Sequence, residues 1–310
     1  MSNTSTENNT STCANCGKGE DSSIKLKTCT ACKLVKYCSR DCQIAHRTQH
    51  KKECKKRAKE LHDERLFKQP PPLEDCPICM IRIPSLCSGS MHMICCGKIV
   101  CSGCNHAPVY DNEGNVIREK TCPFCRTPFA TSDEEMIKRY KKRVEVNDAI
   151  AIRNFGGFYA GGQFGLPQNM AKALELWHRA GDLGDAVSFH NIGIAYDAGD
   201  LGVDRDEKKS IHYFKLAAMM GDVKSRNYLG VSEAEEGKMD RALKHFMIAL
   251  RGGDSDSLKK VGLLYKNGDA IKDDYTKALL SYQAYLDEIK SPQRDEAAAY
   301  SDENKYYGST

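Results

Sequence analysis

Residues 13–54 read CANCGKGEDSSIKLKTCTACKLVKYCSRDCQIAHRTQHKKEC, and the spacing of sulfur and imidazole along them decides how the front of the chain folds. Cys13 and Cys16 form one C-x-x-C, Cys29 and Cys32 a second, while Cys38/Cys42 and His50/Cys54 are each four apart. A C-x-x-C brackets a tight turn that points both sulfurs at one ion. A spacing of four puts two ligands on one helix face, one turn apart. Eight ligands make two tetrahedral sites. About 40 residues bury too little apolar surface to fold alone, and structural zinc supplies on the order of 10 kcal/mol or more.

All 16 cysteines of the 310-residue chain lie between Cys13 and Cys125, so the last 185 residues (310 − 125) hold none. The Ser/Thr/Asn-rich start lacks the basic-then-apolar pattern of an export signal, and no apolar run nears the roughly 20 residues needed to cross a bilayer. The expectation is a reducing cytoplasmic or nuclear setting, not secretion, in which clustered cysteines hold metal rather than disulfides. The sequons at Asn3, Asn8 and Asn9 then carry no sugar. The formal charge is +4. Fifteen thiolates and four Zn²⁺ shift it by 8 − 15 = −7, to about −3, so net charge makes no case for nucleic acid.

A second cluster follows the polyproline spacer QPPPLED, Gln69 to Asp75. It comprises Cys76 and Cys79, adjacent Cys95 and Cys96, Cys101 and Cys104, and Cys122 and Cys125. Adjacent cysteines reach one ion only if the backbone turns, as Gly97 allows, and His92 or Cys87 could substitute for one of them. Four protein ligands per ion leave no position for a reactive water. Both clusters are therefore expected to be structural, with no metallohydrolase centre and no covalent nucleophile.

From about Val144 small residues recur at a fixed interval. Gly156, Gly193 and Gly230 are 37 apart, as are Gly184 and Gly221, whereas Gly221 to Gly253 and Gly230 to Gly262 span 32. Apolar residues at steps of three and four give each of four units a helix pair, with a shortened third unit at GVSEAEEGKMDRA. The expected fold class is thus small zinc-stabilised α+β modules followed by an all-α helical-repeat solenoid, with a polar, fraying end over Ser291 to Thr310.

The first cluster, with YCS at Tyr37 to Ser39, Gln43 and HKKEC at its end, resembles the MYND-type zinc finger over 13–54. The resemblance implies interleaved sites, Cys13, Cys16, Cys38 and Cys42 on one zinc and Cys29, Cys32, His50 and Cys54 on the other. It also implies a groove for short proline-containing peptides, with Arg47 where an aromatic residue is common, and Pro70 to Leu73 has the form of such a peptide. The second cluster resembles an all-cysteine RING-type finger over 76–126. That implies a cross-brace, Cys76, Cys79, Cys101 and Cys104 on one zinc and Cys95, Cys96, Cys122 and Cys125 on the other. It further implies a ubiquitin-conjugating enzyme as partner, met by Ile78, Pro123 and Arg126, since such ligases act by orienting a charged enzyme. Asn105 departs from the apolar residue expected after Cys104, and the stretch Asn105 to Thr121 lacks the tryptophan common in active members. Residues 144–290 resemble Sel-one-like repeats, relatives of tetratricopeptide repeats, which bind proteins.

Three domains, at 13–54, 76–126 and 144–290, are thus expected, separated by a basic helix end and linker (55–75) and preceded by a disordered stretch (1–12). They make an interaction adaptor whose solenoid and first finger recruit clients, either for ubiquitin transfer or as a scaffold. Four zinc ions per chain are expected. His46 is read as a neighbour of the sites and Lys51 to Lys59 as cations suited to a helix C-terminus. Lys138 to Arg143 is read as a solvated entry helix, and Trp177 as packing. His178, His190, His212 and His245 lack metal-ligand spacing.

Overall fold

The structure, a computed structural model, describes residues 12–70, 74–85, 89–108, 113–114, 121–199 and 202–307. They fall into two compact units, Met1–Lys68 and Gln69–Thr310. Cys87 and Pro71 to Leu73, weighed above as a spare ligand and a docking peptide, lie outside the described residues.

In the first unit β1 (Lys27–Thr28) pairs antiparallel with β2 (Lys36–Tyr37), Lys27 opposite Tyr37. Helix α1 (Arg40–Ala45) starts at Ser39, whose hydroxyl accepts from the Cys42 N–H, and α2 (Arg47–Leu66) follows. The buried core is Cys13, Cys29, Cys32 and Tyr37. So few apolar groups cannot offset chain entropy, as the cysteine spacing implied. Most of α2 faces water, with Arg57 bridging Glu60 and Glu64.

The second unit opens with a hairpin, β3 (Ser90–Met93) antiparallel to β4 (Lys98–Cys101), and a short helix α3 (Ser102–His106). Helix α4 (Asp133–Glu145) then leads into four antiparallel pairs: α5 (Ala149–Gly161) with α6 (Met170–Asp182), α7 (Ala186–Ala198) with α8 (Glu207–Met219), α9 (Val223–Glu235) with α10 (Met239–Arg251), and α11 (Ser255–Asn267) with α12 (Lys272–Ile289). The period of 37 consists of two 13-residue helices, the eight-residue loop 162–169 and the three-residue turn 183–185. In the third pair the loop shrinks to 236–238, which removes the five residues that separate 37 from 32 and leaves both helices whole.

The repeating glycines have a packing reason. A Cβ on Gly156 would lie 2.8 Å from the Trp177 ring, one on Gly193 2.9 Å from Phe214, and one on Gly230 2.5 Å from Phe246. The first helix of each of these pairs thus lays bare backbone against an aromatic ring of the second. Trp177 is buried and donates its ring N–H to the Arg153 carbonyl, as its reading as a packing residue requires.

The first helices share a capping device as well. Asp148, Asp185, Asp222 and Asp254 each accept from the N–H three residues on. The last three also bond a side chain from the preceding pair: Arg153 to Asp185 at 3.0 Å, His190 to Asp222 at 3.2 Å, and Asn227 to Asp254 at 2.7 Å. Each donor stands five residues beyond its own cap. Asp148 has no preceding pair. His92 of the β3–β4 hairpin takes that place, 3.1 Å away, beside Arg143 of α4.

Two expectations need correction. Over the described residues 291–307 the polar end is structured rather than frayed, because Pro292–Tyr300 forms helix α13, capped by Ser291, and Asp302–Asn304 adds a turn of 3₁₀ helix. Ala297, Arg294 and Tyr306 are fully or nearly fully buried, so this polar-looking segment is anchored by three residues that composition averages away. Nor is Lys138 to Arg143 purely solvated, since Arg139 binds Glu135 and the Pro128 carbonyl and Arg143 binds Asp148.

Candidate metal centres

Four of the five C-x-x-C pairs bend back on themselves in the same way, while Cys101 and Cys104 sit at the start of α3. The N–H groups of Gly17, Lys33, Met80 and Arg126 donate to the carbonyls of Cys13, Cys29, Cys76 and Cys122 at 2.9, 3.0, 2.9 and 2.9 Å. The residue after each second cysteine has positive φ, 73° at Gly17, 59° at Lys33, 56° at Met80 and 64° at Arg126. Three of the four are not glycine, a cost that persists because the surrounding turn over-determines it.

The four turns gather four groups of ligand atoms, each group within 4.8 Å: Cys13, Cys16, Cys38 and Cys42; Cys29, Cys32, His50 and Cys54; Cys76, Cys79, Cys101 and Cys104; Cys95, Cys96, Cys122 and Cys125. Helix α1 supplies Cys42 and α2 both His50 and Cys54, one turn apart. Adjacent Cys95 and Cys96 share a group because the chain reverses at Gly97, φ 73°, whose N–H meets the Met93 carbonyl at 2.7 Å. His92 is turned to Asp148 instead.

The groups fit a tetrahedral ion. With Zn–S near 2.3 Å, tetrahedral angles put the sulfurs about 3.8 Å apart. The structure gives 3.5 Å for Cys16–Cys38, 3.8 Å for Cys29–Cys54, 3.8 Å for Cys79–Cys101 and 3.9 Å for Cys96–Cys122. His50 Nε2 lies 3.2 Å from Cys32 Sγ. Electrostatics agree. Burial pushes the Cys13 and Cys29 thiols up, but N–H groups of their turns, joined by the Cys38 N–H at Cys13 and the His50 ring at Cys29, outweigh it and bring both down to about 6. A hydrogen bond from Cys101 takes Cys76 to about 4. Their neighbours shift the other way: hydrogen bonds to Cys16 and Cys42 lift Cys38 to about 12, and burial lifts Cys54 and Cys104 to about 12. Four thiolates in so small a space need a cation among them, and a divalent ion inverts this order by deprotonating its ligands.

Ile78 and Arg126 are exposed and Pro123 is half-buried. His46 stacks on His50 with ring centres 5.7 Å apart and bonds the Tyr37 hydroxyl. Among the described residues, none of His178, His190, His212 and His245 joins a ligand group. Beside the second pair of centres stand residues that sequence reading missed. Arg143 packs against Gly97, and Arg294 reaches the Cys76–Cys79 turn, 4.0 Å from Cys79 Sγ. No local motif marks either one, since both lie far along the chain from the cysteines they approach.

Two interleaved ligand pairs on a two-stranded sheet and a helix define a paired zinc finger, and the glycine-to-aromatic helix pairs define a short-repeat solenoid. Residues 13–54 match the MYND finger family, and residues 149–185, 190–222 and 255–280 match the Sel1 repeat. The stretch passed over, 223–254, is the pair with the shortened loop. No curated protein matches the chain. Among solved structures, a Sel1 repeat protein from Oxalobacter formigenes is similar at 27% identity and TM-score 0.44, over 49% of this chain and 64% of that one. The protective antigen c5321 of uropathogenic Escherichia coli strains, which displays an SLR fold, is similar at 19% identity and TM-score 0.40, over 58% of this chain and 46% of that one. Immunity protein Pa5087 from Pseudomonas aeruginosa is similar at 21% identity and TM-score 0.37, over 56% and 62%. The chain thus spans less than two thirds of the length of each. It carries a MYND finger and Sel1 repeats, both protein-interaction modules. Among the described residues no helix is long and apolar enough to cross a membrane.

Proposed function

We propose that the chain is a zinc-dependent adaptor that captures proteins and presents them to a ubiquitin-charged conjugating enzyme held by a RING-type module at 76–126. Cys13, Cys16, Cys38 and Cys42, then Cys29, Cys32, His50 and Cys54, then Cys76, Cys79, Cys101 and Cys104, then Cys95, Cys96, Cys122 and Cys125 each hold one zinc ion, four per chain. Zinc there supplies structure and no reaction. The observation that carries the ligase reading is the exposure of Ile78 and Arg126 on the outer surface of two ligand turns. An exposed guanidinium can donate to two partners at once, which suits a residue bridging enzyme and ubiquitin. Ligase function here is orientation of a thioester, with no nucleophile from this chain.

The MYND finger adds a second point of capture. A cavity of about 490 Å³ against α1 and α2 is lined by Tyr37, Ile44 and Ala58 and by Arg40, Arg47, Lys51 and Lys55. Among the described residues these four cations form no ion pair. With Arg47 in place of an aromatic residue, the groove suits an acidic segment carrying an apolar anchor.

A non-enzymatic scaffold is the second reading, and α3 favours it. Gly103 backs onto the Arg294 backbone and His106 meets the Tyr300 ring at 4.8 Å, so α13 covers one side of the helix that carries Asn105. The test is ubiquitin chain formation by the full chain with activating enzyme and a panel of conjugating enzymes. The ligase reading expects chains that Arg126→Ala reduces at least tenfold while zinc content stays the same. No chains with any conjugating enzyme leaves the scaffold.

A further inference from the structure

Helix α13 brings a buried cation to a centre whose ligands lie about 200 residues earlier. Arg294 has no exposed surface. All four of its terminal N–H bonds have acceptors: Nη1 donates to the Ile289 carbonyl at 2.6 Å and the Arg82 carbonyl at 2.8 Å. Nη2 donates to the Ile81 carbonyl at 3.1 Å and faces Cys79 Sγ at 4.0 Å. Ile81 and Arg82 directly follow the Cys76–Cys79 turn. From the other side, a Cβ on Gly103, between Cys101 and Cys104, would sit 2.8 Å from the Arg294 backbone nitrogen. The arginine and its helix thus touch both halves of one ligand group.

Among the described residues no carboxylate pairs with Arg294. A buried charge without a counter-charge is costly by several kcal/mol, and carbonyl oxygens satisfy its hydrogen bonds without neutralising it. The neighbouring group supplies the missing charge: four thiolates around Zn²⁺ carry a net −2. The neighbouring acids are engaged elsewhere, Glu288 with Arg82 and Asp295 with the Tyr306 hydroxyl.

We infer that Arg294 is a positioning residue of the Cys76/Cys79/Cys101/Cys104 centre. It holds the ligand turn by its carbonyls and balances the charge of the thiolates, so that metal retention at this centre depends on docking of the last helix. The inference rests on the reading that this group binds zinc and is independent of ligase function.

The test uses the full chain loaded with zinc, or with ¹¹³Cd for spectroscopy, and follows transfer to a chromogenic chelator. The two finger ions serve as internal reference. Wild type should release its four ions in resolvable phases. Arg294→Met should speed one phase by about 10–100-fold, the usual penalty for losing an outer partner of a metal ligand, and leave the finger phases unchanged. Arg294→Lys keeps the charge and should restore much of the loss, while moving a single all-sulfur ¹¹³Cd resonance with helix content unchanged. If Arg294→Met fails to fold, Arg294→Lys decides on that resonance. Release rates and resonances indistinguishable from wild type in the variants that fold overturn the inference alone. A wild-type chain holding only the two finger ions overturns it together with the zinc reading of the second module.

Discussion

The two sulfur-rich modules share the same ligand turns yet are finished differently. The MYND finger completes itself with its own helix, since α2 donates both His50 and Cys54. Among its described residues the second module has no such helix. Its five-residue α3 is too short to cover two centres, and side chains from later helices of the second unit do the covering: Arg294 at one centre, Arg143 and Asp148 beside the hairpin of the other, and Tyr285, whose hydroxyl accepts the Ser85 N–H at 3.0 Å. A module can thus be made stable by its own helix or by lending its surface to a neighbour, and only the second way ties its fate to the rest of the chain.

Metal removal should separate the two most strongly. In the finger, structural zinc stands for about 10–16 kcal/mol, far more than a core of three cysteines and a tyrosine supplies, so chelation should collapse every backbone amide signal of 13–54. In the second unit the helices between the ends should persist, while protection from hydrogen exchange drops around Asp148 and over α13. Equal loss of protection along all of the helices, or none at either end, would break the comparison.

Single ligand changes sharpen it. Cys29→Ser should leave the solenoid's thermal unfolding, read by helix ellipticity, within a degree of wild type. Cys76→Ser should lower it by about 4–12 °C, because roughly 2–3 kcal/mol of docking is lost and each kcal/mol is worth about 2–4 °C in a unit this size. Identical midpoints for the two variants would mean that the second module lends the solenoid nothing.

Within the repeats, Gly193→Ala forces a methyl against Phe214 and should cost about 1–3 kcal/mol. Gly157→Ala, where nothing lies within 4 Å, should instead gain up to about 1 kcal/mol of helix propensity. Urea midpoints compare the pair.

The smallest effect expected is at the cap relay. Burial pushes the Asp222 carboxyl up, but the His190 ring and the Ser225 N–H and hydroxyl hold it below the ordinary carboxylate range. Its folded value is therefore lower than its unfolded one, so its contribution is complete above the unfolded value and fades as pH falls through the folded one. Asp222→Ala should cost about 1 kcal/mol at neutral pH, and the gap from wild type should close in acid. A gap that widens in acid would mean that the carboxylate is not the stabilising form.

Spacing carried most of this architecture. The eight finger ligands, the helix pairs and the loop deletion in the third unit are all local patterns, set by turns that bracket one ion or by a period that returns one face of a helix. Long-range contacts left no such mark. Nothing around Arg294 in SPQRDEAAAY distinguishes a buried cation from a solvated one, and that is why the end of the chain read as a frayed tail. His92 was weighed as a metal ligand because it stands near Cys95. Only the fold shows that the nearest carboxylate, 56 residues away, has claimed it.

The cap relay bears on how such an array can change in evolution. Solenoids lengthen by duplicating a unit, and an open terminus accepts the copy because its last face is free. Here the first face is taken by His92 and the last helix by the Ile81–Arg82 carbonyls, both on one small block. A duplicated helix pair would move those two anchorages apart by the thickness of a pair, so relatives built on this plan should keep their number of helix pairs and vary in the loops within them, as the third pair already does.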